Sequence, residues 1–284
     1  MNILSSITNE RVENFYQDRH AQVQSIVDMD YTTGNYTQAE KDTILKLDAK
    51  VSDPITYDYS DGWKTLLTRD FPTVFLLIAL VVCIISPVFA YEYQTGADAV
   101  VLSSKYGRRE TVWAKLIAGF TVTSRIYFIA VLVSLISVLA VFGVQGWNCD
   151  FQILSTTAYY GLKIWQIVFV GIVINYVVVL SVMAFTMLLS AACKTPFAAV
   201  LISTLCMIVP MFLPTSRVNG VFNKLLCLLP AKAMDTHVVF STYVLFSFGK
   251  LVIILPCMIL MAACVVIIVA LPIAHRKFCR HQVA

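Results

Sequence analysis

Charge is what this sequence of 284 residues has least of. Asp, Glu, Lys and Arg together make up 13% of it, while 58% is hydrophobic. An average soluble domain carries about 25% charged residues. A soluble chain this apolar would lack the polar surface needed to cover its core, so lipid must cover much of the outside. Acidic groups are scarcest after residue 70. Residues 71–284 hold 5 acidic and 14 basic groups, a net of +9, whereas residues 1–70 hold 12 acidic and 7 basic groups, a net of −5. The chain thus reads as a polar, acidic N-terminal segment followed by a basic, apolar body.

Other absences narrow the chemistry. None of the eight cysteines forms a C-x-x-C pair, so no zinc or redox motif is present. No G-x-x-x-x-G-K-[ST] phosphate loop exists, since Gly249-Lys250 lacks both the upstream Gly and the following Ser or Thr. His20, His237, His275 and His281 are too scattered to converge within one span, and no H-E-x-x-H occurs. The long apolar runs contain no Asp or Glu. That counts against a proton- or sodium-coupled carrier and against a lipid-modifying enzyme that needs intramembrane acid–base groups. The chain is therefore read as carrying no catalytic residues, no metal site and no cofactor of its own, and nothing in it points to nucleic acid.

What is present is oily sequence in spanning lengths. A helix needs about 20 apolar residues to cross the hydrocarbon core, and in lipid only a helix satisfies its own backbone. Uncharged runs at 71–91, 126–144, 164–193, 195–216 and 251–274 meet that need. They predict an all-α polytopic membrane bundle with about five transmembrane helices, placed at 71–91, 118–144, 165–192, 196–214 and 251–274. Residues 215–250 are too polar for a further span and read as re-entrant or interfacial. Pro87, Pro210 and Pro256 should bend their helices.

Within residues 1–70, Val12, Phe15, Tyr16, Val23, Ile26 and Val27 recur at near-helical spacing, and Asn9 is a candidate cap. Thr37-Gln-Ala-Glu40 reads as a capping box for a second helix through Ile44 and Leu47. A helical hairpin is the expected form. Lys and Arg in short loops set orientation. The loop 92–115, Lys194 and the tail with Arg276, Lys277 and Arg280 form the more basic side. This places the C-terminus in the cytoplasm of a cell (plasma) membrane protein and the N-terminal segment outside. Cys149 and Cys227 then share the outer side, where a disulfide or two free thiols are the alternatives. Arg125 is the one charge close to a span interior. It either snorkels to the cytoplasmic face or contacts an anionic substrate or lipid.

The loop at 92–115 carries more than a positive-inside anchor needs. Glu92 stands at the membrane exit and Gly96 follows. A short helix over 97–105 contains Val100, Val101 and Leu102-Ser103, then come Gly107, Arg108 and Arg109, and Lys115 enters the next span. This pattern resembles the first inner loop of the type 2 ABC transporter (exporter) permease family. The resemblance implies a transport permease whose short helix docks on a separate ATP-binding subunit, with ATP and Mg held on that partner. It implies Val100, Val101 and Leu102 as apolar docking contacts and Arg108 and Arg109 as polar ones. It also implies pairing with a second permease subunit, identical or related, with membrane lipid around both. That family has six spans and both ends inside, so the present chain is expected to lack the first span of the pattern. The rival reading is a non-transporting membrane protein whose outer segment binds a partner.

Overall fold

The computed structural model describes residues 15–31, 34–51, 54–104, 109–213, 220–249 and 251–279. Helix α1 (Phe15–Asp28) buries Arg19, Val23 and Val27, one side chain per turn. Helix α2 (Gln38–Asp48) buries Glu40, Ile44 and Asp48 at the same spacing. The Thr37 hydroxyl accepts from the Glu40 N–H while the Glu40 carboxylate accepts from the Thr37 N–H at 2.9 Å, so the capping box forms. The two helices pack against each other as a hairpin.

Helix α3 (Asp61–Ile85) is followed after Ser86 by α4 (Pro87–Thr95), α5 (Ala97–Ser103) and the 33-residue α6 (Glu110–Phe142). Helix α7 (Ile164–Ala192) runs back through the centre of the bundle, and α8 (Pro196–Phe212) follows a three-residue turn. Short helices α9 (Val221–Leu228), α10 (Pro230–Ala233) and α11 (Thr236–Ser241) lead to an antiparallel hairpin, β1 (Leu245–Phe248) with β2 (Leu251–Ile254). Helix α12 (Leu255–Cys279) closes the fold along α7.

Four helical stretches, Asp61–Thr95, Glu110–Phe142, Ile164–Ala192 and Leu255–Cys279, are long and apolar enough to cross a membrane. The fifth apolar helix, α8, has 17 residues, about 25 Å against a hydrocarbon core of about 30 Å. The expected five spans thus become four long ones and one short one. Two boundaries also differ from the reading of the sequence. Helix α6 begins at Glu110 rather than near 118, because Glu110 suits a helix N-terminus and Lys115 finds partners inside the bundle. The apolar run from 251 opens as a strand, with Leu251 opposite Phe248 and Ile254 opposite Leu245. Hydrophobicity alone does not separate a short buried strand from a helix.

Burial is uneven. In α7, 67% of the most apolar window is buried inside the protein, against 6% in α6. Helix α7 is the axis of the bundle, and α6 lies on its rim.

All the elements outside the spans gather at two ends. The hairpin α1–α2, the loop 143–163 and the segment α9–β2 pack together at one end as a cap. Arg19 is only 1% exposed. It pairs with Asp48 at 2.5 Å and donates to the carbonyls of Thr156 (3.1 Å) and Ala158 (3.0 Å). His20 also contacts Asp48. Glu40, likewise buried, pairs with Lys224 at 3.1 Å, which ties α2 to α9. The Tyr36 hydroxyl donates to the Tyr243 carbonyl at 2.7 Å, the Tyr243 hydroxyl donates to the Thr157 carbonyl, and the hydroxyls of Tyr159 and Tyr160 share a hydrogen bond of 2.9 Å. Burial pushes the phenols of Tyr36, Tyr159 and Tyr160 well above their ordinary range. The cap meets the N-terminal segment closely enough that a Cβ on Gly146 would collide with the Tyr59 carbonyl, and one on Gly161 with the Lys50 carbonyl. Backbone pairing of Thr56 with Asp150 and the Trp63 indole bond to the Gln145 carbonyl (3.0 Å) complete the seam.

Candidate functional site

The end opposite the cap carries α4, α5, the start of α6, the α7–α8 turn and the end of α12. Its geometry starts from Pro87. A proline has no N–H and cannot continue the α3 ladder, but it suits the first position of a new helix. The first N–H groups of α4 then need acceptors. Ser190 of α7 supplies one. Its buried hydroxyl donates to the Ser86 carbonyl at 2.6 Å and accepts from the N–H groups of Phe89 (3.0 Å) and Ala90 (3.1 Å). One side chain thus pins the α3–α4 joint to the central helix.

Helix α4 is fastened a second time, to α6. The Lys115 ammonium pairs with Glu92 at 2.5 Å and donates to the Val88 carbonyl at 2.7 Å. It also lies over the rings of Phe89 (5.0 Å) and Phe278 (5.4 Å). Phe278 is fully buried and packs on Phe89, so the end of α12 joins the same clamp. Enclosure by aromatic faces raises the value of such a charge pair relative to one in water. The second Glu92 oxygen, Oε2, is buried with no hydrogen-bond partner among the described residues, so Lys115 is what satisfies this carboxylate.

Gly96 sits between α4 and α5 with φ 70°, ending one helix and starting the next. No atom lies within 4 Å of where its Cβ would be, so backbone conformation alone calls for glycine there. The turn throws α5 across the end of the bundle. Asp98 is buried and Val101 packs against the core, whereas Val100 is 73% exposed. Arg109 is exposed at the start of α6. Gly107 and Arg108 lie outside the described residues, as does the side chain of Leu102.

The structure therefore brings Glu92, Gly96, Val100, Val101, Arg109 and Lys115 to one end of the bundle. It divides the apolar trio: Val100 is free for a partner and Val101 is engaged within the chain. The helix expected at 97–105 spans Ala97–Ser103. Arg125 is elsewhere, near the middle of α6 and exposed. Cys149 and Cys227 do not bridge: both are free, buried thiols, and burial raises the pKa of each. Cys149 is held in the loop 143–163 by backbone bonds to Gly146 and Ile164, and Cys227 belongs to α9. Sequence reasoning missed Ser190, Ser86 and Phe278. The one signal was Pro87 inside an apolar run, which implies stranded backbone groups but does not say which residue answers them.

The site holds no arrangement for acid–base or nucleophilic chemistry. Its parts are a short helix with an exposed apolar side chain, a glycine turn and two fastenings into the spans, which suit the transmission of movement. No curated protein and no solved structure matches the chain. The sequence profile described as ABC-2 family transporter protein matches residues 8–275. With nearly the whole length matched, several helices able to cross a membrane and the short helix hung from their ends, the chain belongs to the ABC-2 family of transporter proteins, as a membrane permease.

Proposed function

We propose that this permease is the membrane subunit of an ABC exporter and that α5 is its docking helix for a separate ATP-binding subunit, which holds ATP and Mg. The observation that carries the reading is Val100, an exposed apolar side chain on a helix otherwise pinned to the bundle. Movement of α5 passes through the Gly96 turn into α4. From there it reaches α6 through Glu92 and Lys115, and α7 through Ser190. The end bearing α5 faces the cytoplasm, in keeping with exposed Arg109, Lys194, Arg276 and Lys277. The cap with residues 1–70 then lies outside. A second permease subunit completes the path for the cargo.

The test is retention of an ATP-binding subunit by the tagged, full-length chain purified from its own membranes. Val100→Asp should reduce retention about tenfold, as for an apolar contact at the centre of an interface. An ATP-binding subunit that is never retained, or is retained equally by the Val100→Asp chain, overturns the reading. The folded cap favours a second reading, a membrane anchor whose outer segment binds a partner. That reading predicts that Val100→Asp leaves function intact while disruption of the cap abolishes it.

A further inference from the structure

Arg125 stands in an unusual place. It follows Lys115 by ten residues and precedes Phe142 by seventeen, about 15 Å from the clamp and about 25 Å from the far end of α6. The bundle-facing side of α6 is Val112, Leu116, Gly119, Thr123 and Tyr127, all buried. By helical spacing Arg125 lies on the opposite side, pointing away from the rest of the chain. It has no hydrogen bond or ion pair among the described residues. The neighbouring hydroxyl of Ser124 is already engaged, with the Phe120 carbonyl and the Tyr176 hydroxyl.

A guanidinium at that depth facing acyl chains is costly, and extension along the helix falls well short of either end. Something must pair with it. The sequence excludes a second copy of this chain as the source. No Asp or Glu lies between Asp70 and Glu92, between Glu110 and Asp150, between Asp150 and Asp235, or after Asp235. A symmetric contact through this face would set arginine against arginine or against apolar side chains. The face is nonetheless shaped for close approach. Exposed Ala114 and Ala118 and half-exposed Thr121 lie along it on the clamp side of Arg125, and small residues let membrane helices pack closely.

We infer that the outward face of α6 around Arg125 is the docking site for a transmembrane helix of a different membrane protein, one that carries Asp or Glu at mid-span, with its carboxylate paired to the Arg125 guanidinium. A permease assembly built on this face is therefore heteromeric. The inference is independent of whether α5 engages an ATP-binding subunit.

The experiment uses the full chain, fluorescently labelled and reconstituted at neutral pH into phosphatidylcholine vesicles. The probes are synthetic Leu–Ala helices of about 20 residues with a central Glu or a central Gln, and binding is read by energy transfer. The Glu helix should bind about tenfold more tightly than the Gln helix. Arg125→Gln should erase that preference, Arg125→Lys should keep most of it, and Ala118→Phe should weaken binding by blocking approach. Equal binding of the two helices, or a preference that survives Arg125→Gln, overturns the proposal. So does a preference lost when phosphatidylglycerol is added, which would assign Arg125 to a lipid phosphate. Self-association of the chain that falls on Arg125→Gln would assign the face to a second copy and overturn it as well. Failure to retain an ATP-binding subunit would sink the exporter reading and leave this preference intact.

Discussion

The two ends of this bundle are built in opposite ways. The cap joins segments far apart in sequence through buried ions and phenols: Arg19 to Asp48 and Thr156, Glu40 to Lys224, Tyr36 to Tyr243. Each link is shielded from water and leaves a costly group exposed to nothing if it is broken. The α5 end is nearly the reverse. Its helices are consecutive in sequence, its docking helix has seven residues, and it is held to the spans by one hydroxyl and one clamp. A region meant to stay put is cross-linked over long range, and a region meant to move is hung from a few points.

The largest expected effect breaks the cap. Asp48→Asn leaves the Arg19 guanidinium buried without a counter-charge and should destabilise the chain by about 3–5 kcal/mol, read as a lower melting midpoint of the detergent-solubilised protein. A weaker blow falls on the other end. Ser190→Ala strands the Phe89 and Ala90 N–H groups and the Ser86 carbonyl at a cost of about 1–3 kcal/mol. Its signature should be faster hydrogen exchange in residues 86–103 with the cap unchanged. Equal loosening of both ends would erase the contrast drawn here. The mildest effect is alkaline. The buried phenols of Tyr36, Tyr159 and Tyr160 have raised pKa values. Their contribution is therefore fully present below the ordinary tyrosine pKa of about 10 and falls as pH climbs above it. Ultraviolet titration should show these phenols ionising after the rest, together with loss of the cap.

Much of this was legible before any coordinates. The uncharged runs announced helices in lipid, Thr37 and Glu40 announced the start of α2, and Gly96 announced a turn between two short helices. These are local effects of hydrophobic length, capping and backbone freedom. The start of α6 was obscured because Glu110 and Lys115 look like loop residues until Lys115 is seen to meet Glu92. The strand at 251–254 was hidden because four apolar residues carry no decisive period.

Sequence by itself settled the solvent of this protein, because the free energy of apolar surface depends on composition and not on arrangement. It also settled that no carboxylate of this chain can answer Arg125. Only the tertiary structure decided which face of α6 carries that arginine, that Val101 is engaged while Val100 is free, and that Ser190 closes the joint at Pro87 from 104 residues away. Pairings of that kind depend on where distant segments meet, and that is fixed by packing of the whole chain.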